Sequence, residues 1–170
     1  MAIFDCFQFF NEEHIADLRF NILDEYVDTF VIVESTINHQ GENKKLNFDI
    51  KKYSKFKNKI NYIVVNDTPE SFIKPHTGGE SLVEQHQRNS LMKGLTKAED
   101  NDLIILSDVD EIPDLKKINE IKNGKKFIAF SQKMYMYKLN LQNISESNWI
   151  GSKITKKKYL SSMQSLRDLK

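Results

Sequence analysis

Apolar positions along the chain alternate between short solid runs and helical spacing. Ile3 to Phe10 is short and rich in aromatics, and predicts a buried strand. Asn11 follows as the expected N-cap, with Glu12 and Glu13 placed for the helix dipole. Ile15, Leu18, Ile22 and Tyr26 recur at spacings of three and four, so a helix to about Val27 is predicted with these residues as its apolar line. Phe30 to Val33 is a continuous β-branched and aromatic run, a second buried strand closed by Glu34. Ser35 to Lys59 is polar and lysine-rich, with Gly41 as a turn, and reads as a long loop with a short helix near Ile50 to Phe56. Tyr62 to Val65 predicts a third strand ending at Asn66-Asp67. Thr68 to Gly79, with Pro69, Pro75 and Gly78-Gly79, reads as a loop.

Glu80 to Lys97 predicts a helix whose apolar line is Leu91, Leu95 and Ala98. Leu103 to Leu106 is a fourth strand, followed at once by Ser107-Asp108-Val109-Asp110-Glu111-Ile112-Pro113. A short helix over Asp114 to Lys122 and one or two strands within Phe127 to Leu141 come next. Trp149 to Lys170 reads as irregular, then weakly helical. This order of elements predicts an α/β fold with a mainly parallel central sheet flanked by helices.

The 170 residues, 39% hydrophobic and 29% charged, suit one soluble globular domain. Lys+Arg of 25 against Asp+Glu of 24 leaves a net charge of +1, which gives no support for nucleic-acid binding. The lysine runs at 51–52, 55–59 and 156–158 read as solvated faces. The single cysteine, Cys6, excludes an internal disulfide and suits a reducing compartment; its apolar neighbours predict a buried, inert thiol. With no basic segment before the first apolar run and no stretch long enough to span a bilayer, a cytoplasmic protein is expected. Oligomeric state is left open.

The chemistry concentrates after the fourth strand. Asp108 and Asp110 stand at the carboxyl end of a buried strand, where open α/β sheets bind ligands. Alternate carboxylates on a turning chain converge on one hard cation, Mg²⁺ or Mn²⁺, which bridges to a diphosphate. The plainer alternative is a pair of surface carboxylates capping the next helix, and Asp114 reads as such a cap. Arg88 lies beside the core-facing stripe of its helix and so needs an anionic partner, either Asp108 or a donor phosphate. Glu34 and Asp67 each close a strand and are candidates for a ribose hydroxyl or a base N–H, with turn-capping as the alternative. Ser107 adjoins the pair. Tyr135, Tyr137 and Trp149 are candidates for stacking on a sugar. His14, His39, His76 and His86 share no metal-ligand spacing, and no phosphate-binding glycine loop occurs.

Several blocks resemble glycosyltransferase family 17. They are Ile3 to Glu12, Phe30 to Ser35, Gln87-Arg88-Asn89 with Gly94-Leu95, and Ile104 to Pro113, in the family's order. A looser likeness runs through Tyr137, Trp149 and Leu166-Arg167. The family includes the bisecting N-acetylglucosaminyltransferase acting on the β-linked mannose of N-glycans, and many bacterial and viral members. The resemblance implies a GT-A-like fold, a UDP-sugar donor (UDP-N-acetylglucosamine by analogy), a divalent metal and inversion at the anomeric carbon. Asp108 and Asp110 would be its D-x-D pair, with Glu34, Asp67, Arg88 and Ser107 toward the donor and Tyr137 and Trp149 toward the acceptor. Residues 1–113 would form the donor and metal half, and residues 114–170 part of the acceptor half. Because family members continue further, a short or truncated form is expected, with an incomplete acceptor side. No general base stands out among Glu120, Glu146 and Asp168. A glycan or lipid-linked glycan made in the cytoplasm is the expected acceptor. Two other readings stay open: a catalytically incomplete domain that binds a nucleotide-sugar or a partner protein, and a phosphohydrolase of the haloacid dehalogenase type.

Overall fold

A computed structural model describes residues 1–73, 81–121, 125–137, 140–145 and 148–169. Its sheet is built from β1 (Ile3–Gln8), β2 (Thr29–Ser35), β3 (Ile60–Val65), β4 (Leu103–Leu106), β5 (Phe127–Gln132) and β6 (Trp149–Lys156), in the spatial order β3-β2-β1-β4-β6-β5. The first four of that order run parallel, and β6 lies antiparallel between β4 and β5. The mixed α/β class and the mostly parallel sheet therefore match the sequence reading.

The inner strands carry apolar side chains on both faces, as a sheet covered on both sides requires. Phe7, Phe30, Ile32 and Ile105 face Ala16, Phe20 and Leu23 of α1 (Glu13–Leu23), with Phe48, Tyr53 and Phe56 from the loop after β2. On the opposite face Cys6, Val31, Val33 and Ile104 meet Leu91 and Leu95, which follow α2 (Leu82–Ser90), and Met163 and Leu166 of α4 (Met163–Arg167). A short α3 (Ile118–Ile121) precedes β5. The predicted short helix near Ile50 to Phe56 is a 3-10 segment over those residues.

Four expectations are corrected. The buried line of α1 is Ala16, Arg19, Phe20 and Leu23, while Leu18 and Ile22 are 39% and 44% exposed. Its N-cap is Glu12, whose Oε2 accepts from the Phe10 and Asn11 amides; Asn11 itself does not cap. Trp149 to Lys156, read as irregular, is a full strand of the sheet. The predicted helix from Glu80 to Lys97 is α-helical only over Leu82–Ser90 and continues as a 3-10 turn through Leu95. Glu80, Pro75, His76, Gly78 and Gly79 lie outside the described residues.

Gly94 lets that 3-10 turn lie against β2. A Cβ there would stand 2.2 Å from Val31 Cγ1 and 3.1 Å from Ile63 Cδ1, both packed against the same core. Gly94→Ala is expected to cost about 1–3 kcal/mol through overpacking. A lowered melting temperature with unchanged far-ultraviolet dichroism is the result that checks it.

Candidate active site

The strand order reverses beside β1. The chain runs from β1 out to β2 and β3, then returns to place β4 on the other side of β1. The crevice at the carboxyl ends on such a reversal is where open α/β sheets bind ligands. A cavity of about 530 Å³ lies there, lined by residues following β1 (Phe9, Phe10), β2 (Ile37, Asn38) and β4 (Asp108, Asp110), and by Glu84 and Gln87 of α2. A second cavity of about 190 Å³ is lined by Asp108, Asp110, Glu111, Gln132, Lys133, Met134, Tyr135 and Trp149. Asp108 and Asp110 are the two residues that line both. They stand on the rim between the cavities.

The rim is rigid because its backbone is held from below. Arg19 is fully buried, and its guanidinium forms two bonds with Asp5, at 2.7 and 2.6 Å. Its remaining nitrogen, Nη1, donates to the carbonyls of Asp108, Val109 and Glu111 at 3.2, 3.3 and 2.9 Å. Ser107 Oγ donates to Ser152 Oγ at 2.8 Å, and Ser152 Oγ donates to the Glu111 carbonyl at 2.8 Å, tying the turn to β6.

Above the turn, Glu111 gathers three segments. Its Oε2 accepts from the Asp108 amide and from Arg167, each at 2.9 Å; its Oε1 accepts from the Trp149 indole at 2.7 Å. Arg167 also donates to Asp108 Oδ2 at 2.7 Å. Lys153, buried in β6, donates to the carbonyls of Arg167 and Leu169 and so fixes the end of α4 that carries Arg167. A Cβ on Gly151 would meet Gln132 Oε1 at 2.3 Å and Glu111 Cδ at 3.0 Å, so this glycine leaves room for the Glu111 carboxylate.

The two carboxyls respond in opposite directions. Burial pushes Asp108 above its ordinary value of 3.8, and Glu111 and Asp110 add to the rise against the lowering pull of Arg167. Burial also pushes Glu111 up, but the donors from Asp108, Trp149 and Arg167 together outweigh it and hold the carboxyl below its ordinary 4.5. The depressed Glu111 therefore adds stability that is present above 4.5 and lost as pH falls through its folded value. Glu111→Gln is expected to lower the melting temperature at pH 7, with the gap to wild type closing in acid below 4.5. Melting curves across that range check the sign.

The other sequence candidates are dispersed. Glu34 is buried at the end of β2, where its oxygens accept from Lys44 at 2.6 Å, the Asn47 and Phe48 amides at 2.7 and 3.0 Å, and Tyr62 at 2.8 Å. It organises the loop after β2 and lines neither cavity. Asp67 is exposed, paired with Lys93 at 2.7 Å and His86 at 3.1 Å, whose hydrogen bonds lower its pKa, and it too lines neither cavity. Arg88 is buried as expected, but its partners include Glu84 and Gln164, both at 2.5 Å. Ser107 faces Ser152 inside the protein. Trp149 lines the small cavity, whereas Tyr137 is 94% exposed at a φ of 64° and lines neither. Asp114 caps a local turn, accepting from the Lys116 amide. Asp168 accepts from Gln164 Nε2 and lines neither cavity. The Glu120 side chain and Glu146 lie outside the described residues. Cys6 is fully buried, and burial holds its thiol well above the ordinary value, in line with an inert thiol.

Sequence reasoning missed Arg19, Glu111, Lys153 and Arg167 as parts of this site. Arg19 carried a local signal, because it stands next to Phe20 and four residues after Ile15, on the side of the helix that the core takes. Among the described residues no group of three or more His, Cys, Asp or Glu side chains has metal-site geometry. Asp108 Oδ1 and the Asp110 carboxylate accept no hydrogen bond among the described residues, and both residues face the cavities. A hard cation at the rim would thus take two protein carboxylates and draw its other oxygens from a ligand or water.

No helix among the described residues is long and apolar enough to cross a membrane. No curated protein matches the chain. A family model described as glycosyltransferase family 17 matches residues 1–166. That span takes in all six strands and the turn bearing Asp108 and Asp110, and the chain accordingly belongs to glycosyltransferase family 17 and is a glycosyltransferase.

Proposed function

We propose that the chain is a metal-dependent, inverting glycosyltransferase of GT-A-like design. It moves a sugar, N-acetylglucosamine by likeness to the family, from a UDP donor in the large cavity to a glycan or lipid-linked glycan reaching the rim from the small one. The observation that carries this reading is the position of Asp108 and Asp110, which line both cavities. A volume of about 530 Å³ lies in the usual range of small-molecule sites, roughly 300–1,000 Å³. The charge of the large cavity supports a metal. Its described lining has four carboxylates, Glu12, Glu84, Asp108 and Asp110, against the single ammonium of Lys44. A diphosphate meets net repulsion there unless a cation comes with it.

Asp108 and Asp110 would hold Mn²⁺ or Mg²⁺. When bound, the ion offsets the charge that builds on the departing diphosphate. The acceptor hydroxyl attacks the anomeric carbon as the bond to the UDP oxygen breaks, configuration inverts, and the hydroxyl proton passes to a base. The chain's own contribution is positioning. Arg19 holds the turn backbone, Arg167 fixes Asp108 Oδ2, and Glu111 locks both to β6 through Trp149. Such fixed geometry is worth far more in transfer than in ground-state binding.

Release of UDP from UDP-N-acetylglucosamine, with and without an acceptor mixture, tests this reading in Mn²⁺, Mg²⁺ or EDTA. Release that needs the metal and rises with acceptor is the expected result. Equal release in EDTA, or hydrolysis of simple phosphate esters with no release of UDP, would sink it.

A further inference from the structure

Charge is divided unevenly along the chain. Residues 1–120 carry 22 Asp and Glu against 14 Lys and Arg, a net −8, whereas residues 121–170 carry 2 against 11, a net +9. Such asymmetry points to an anionic partner for the basic part. The acidic part neutralises its own lysines: Lys44, Lys52, Lys55, Lys59 and Lys93 each pair with a carboxylate. Lys125, Lys126, Lys133, Lys156, Lys157 and Lys158, which flank β5 and β6, form no ion pair among the described residues. Lys133 shares the small cavity with three carboxylates, so the outward charge rests mainly on the other five. β5 is an edge of the sheet, and no Asp or Glu occurs from Ile121 to Ser145, the run that contains it. The arm that joins β5 to β6 adds an apolar cluster. Seven of the seventeen large apolar side chains that are exposed among the described residues lie from Tyr135 to Ile150, with Tyr137 at 94% and Ile144 at 85%. Single exposed apolar residues are ordinary, but a cluster marks a docking surface.

The described backbone of the arm pairs within itself. The Met136 amide donates to the Leu141 carbonyl at 3.0 Å, and the Asn143 amide to the Met134 carbonyl at 2.8 Å. Asn143 Oδ1 accepts from the Ser145 amide and hydroxyl at 3.1 and 2.6 Å. A lipid phase favours such internal pairing, because it offers no hydrogen bonds in return. Tyr, Trp and aliphatic side chains with lysines beside them suit the headgroup boundary. These features ask of a partner only apolar depth and negative charge, which an anionic bilayer supplies without a matching shape. We propose that this arm docks the protein on a lipid bilayer bearing anionic headgroups. Tyr137, Leu141 and Ile144 enter the boundary, and the lysines around β5 and β6 supply the attraction. Peripheral attachment of this kind requires no helix that crosses the membrane. The inference stands apart from the donor and acceptor readings of the two cavities.

The test mixes the full chain with vesicles of phosphatidylcholine, alone or with phosphatidylglycerol, and measures the bound fraction by flotation. Binding to the mixed vesicles at least about tenfold tighter than to phosphatidylcholine, and weakened by high salt, is the expected result. Tyr137→Ser/Ile144→Ser should weaken that binding at least about tenfold. Its melting temperature should not change, because both side chains are almost wholly exposed. Trp149 is the sole tryptophan and begins β6 beside the arm, so brominated lipids should quench its emission in the bound state. No binding to the mixed vesicles overturns the proposal. Binding undiminished in the folded double variant, or binding without quenching, overturns it too, since another face would then hold the lipid. Equal binding to both kinds of vesicle overturns the claim for anionic headgroups. A concentration-dependent dimer that the double variant abolishes, in a chain that ignores vesicles, assigns the arm to a second copy and overturns the bilayer.

Discussion

Asp108→Asn is expected to cut sugar transfer at least about 100-fold, since loss of a ligand exceeds the 10–100-fold cost of disturbing its supporting shell. The metal-free protein should nevertheless melt no lower than wild type. Burial raises the Asp108 pKa above its ordinary 3.8, so the fold favours the protonated carboxyl. The stability tied to that preference is fully present below 3.8 and is lost as pH rises through the folded value. At neutral pH the charged carboxylate therefore works against the metal-free fold, and an amide of the same shape removes the conflict. Arg167 loses one partner in the variant but keeps Glu111 Oε2 at 2.9 Å. Activity assays beside melting curves in EDTA check both halves. A variant that loses activity only because it unfolds would refute the assignment of Asp108 to the chemistry.

Arg19→Gln should have the largest effect on stability. Arg19 and Asp5 are both wholly buried, and removing one member of a buried pair leaves an uncompensated charge, at a cost of about 3–5 kcal/mol. The double variant Asp5→Asn/Arg19→Gln should recover part of that loss, because neither charge then remains. Transfer should stay low in the double variant. The carbonyls of Asp108, Val109 and Glu111 still lose the guanidinium that shapes the turn. Urea unfolding separates the two effects. Full recovery of activity in the double variant would show that Arg19 matters for the fold alone.

The parts of this protein that were legible in sequence are those where burial acts on consecutive residues. Leu103 to Leu106 is apolar on both faces because β4 is covered on both faces, so the strand and the carboxylates after it stood out together. The alternation of strands and helices up to β4 was legible for the same reason. β6 was not, although it lies next to β4. Its buried positions include Ser152, Lys153 and Thr155, which are satisfied by Glu111, by the end of α4 and by the Lys126 carbonyl. Polar residues paired across the fold leave no local pattern. Arg167 was invisible as a site residue for a related reason, since its partner Asp108 lies 59 positions earlier. Glu34 lies one residue before the end of β2 and Asp67 two residues past β3, but position near a strand end does not say whether a carboxylate turns outward or, like Glu34, is consumed by its own loop.

The central claim is that Asp108 and Asp110 hold a metal against the donor diphosphate. Calorimetric titration of UDP into the wild-type chain and into Asp108→Asn/Asp110→Asn, each with Mn²⁺ and with EDTA, tests it most directly. Saturable binding of UDP by the wild type only with Mn²⁺, and by the double variant under neither condition, is the predicted result. Binding of UDP in EDTA as tight as in Mn²⁺, or binding undiminished in a folded double variant, would contradict it.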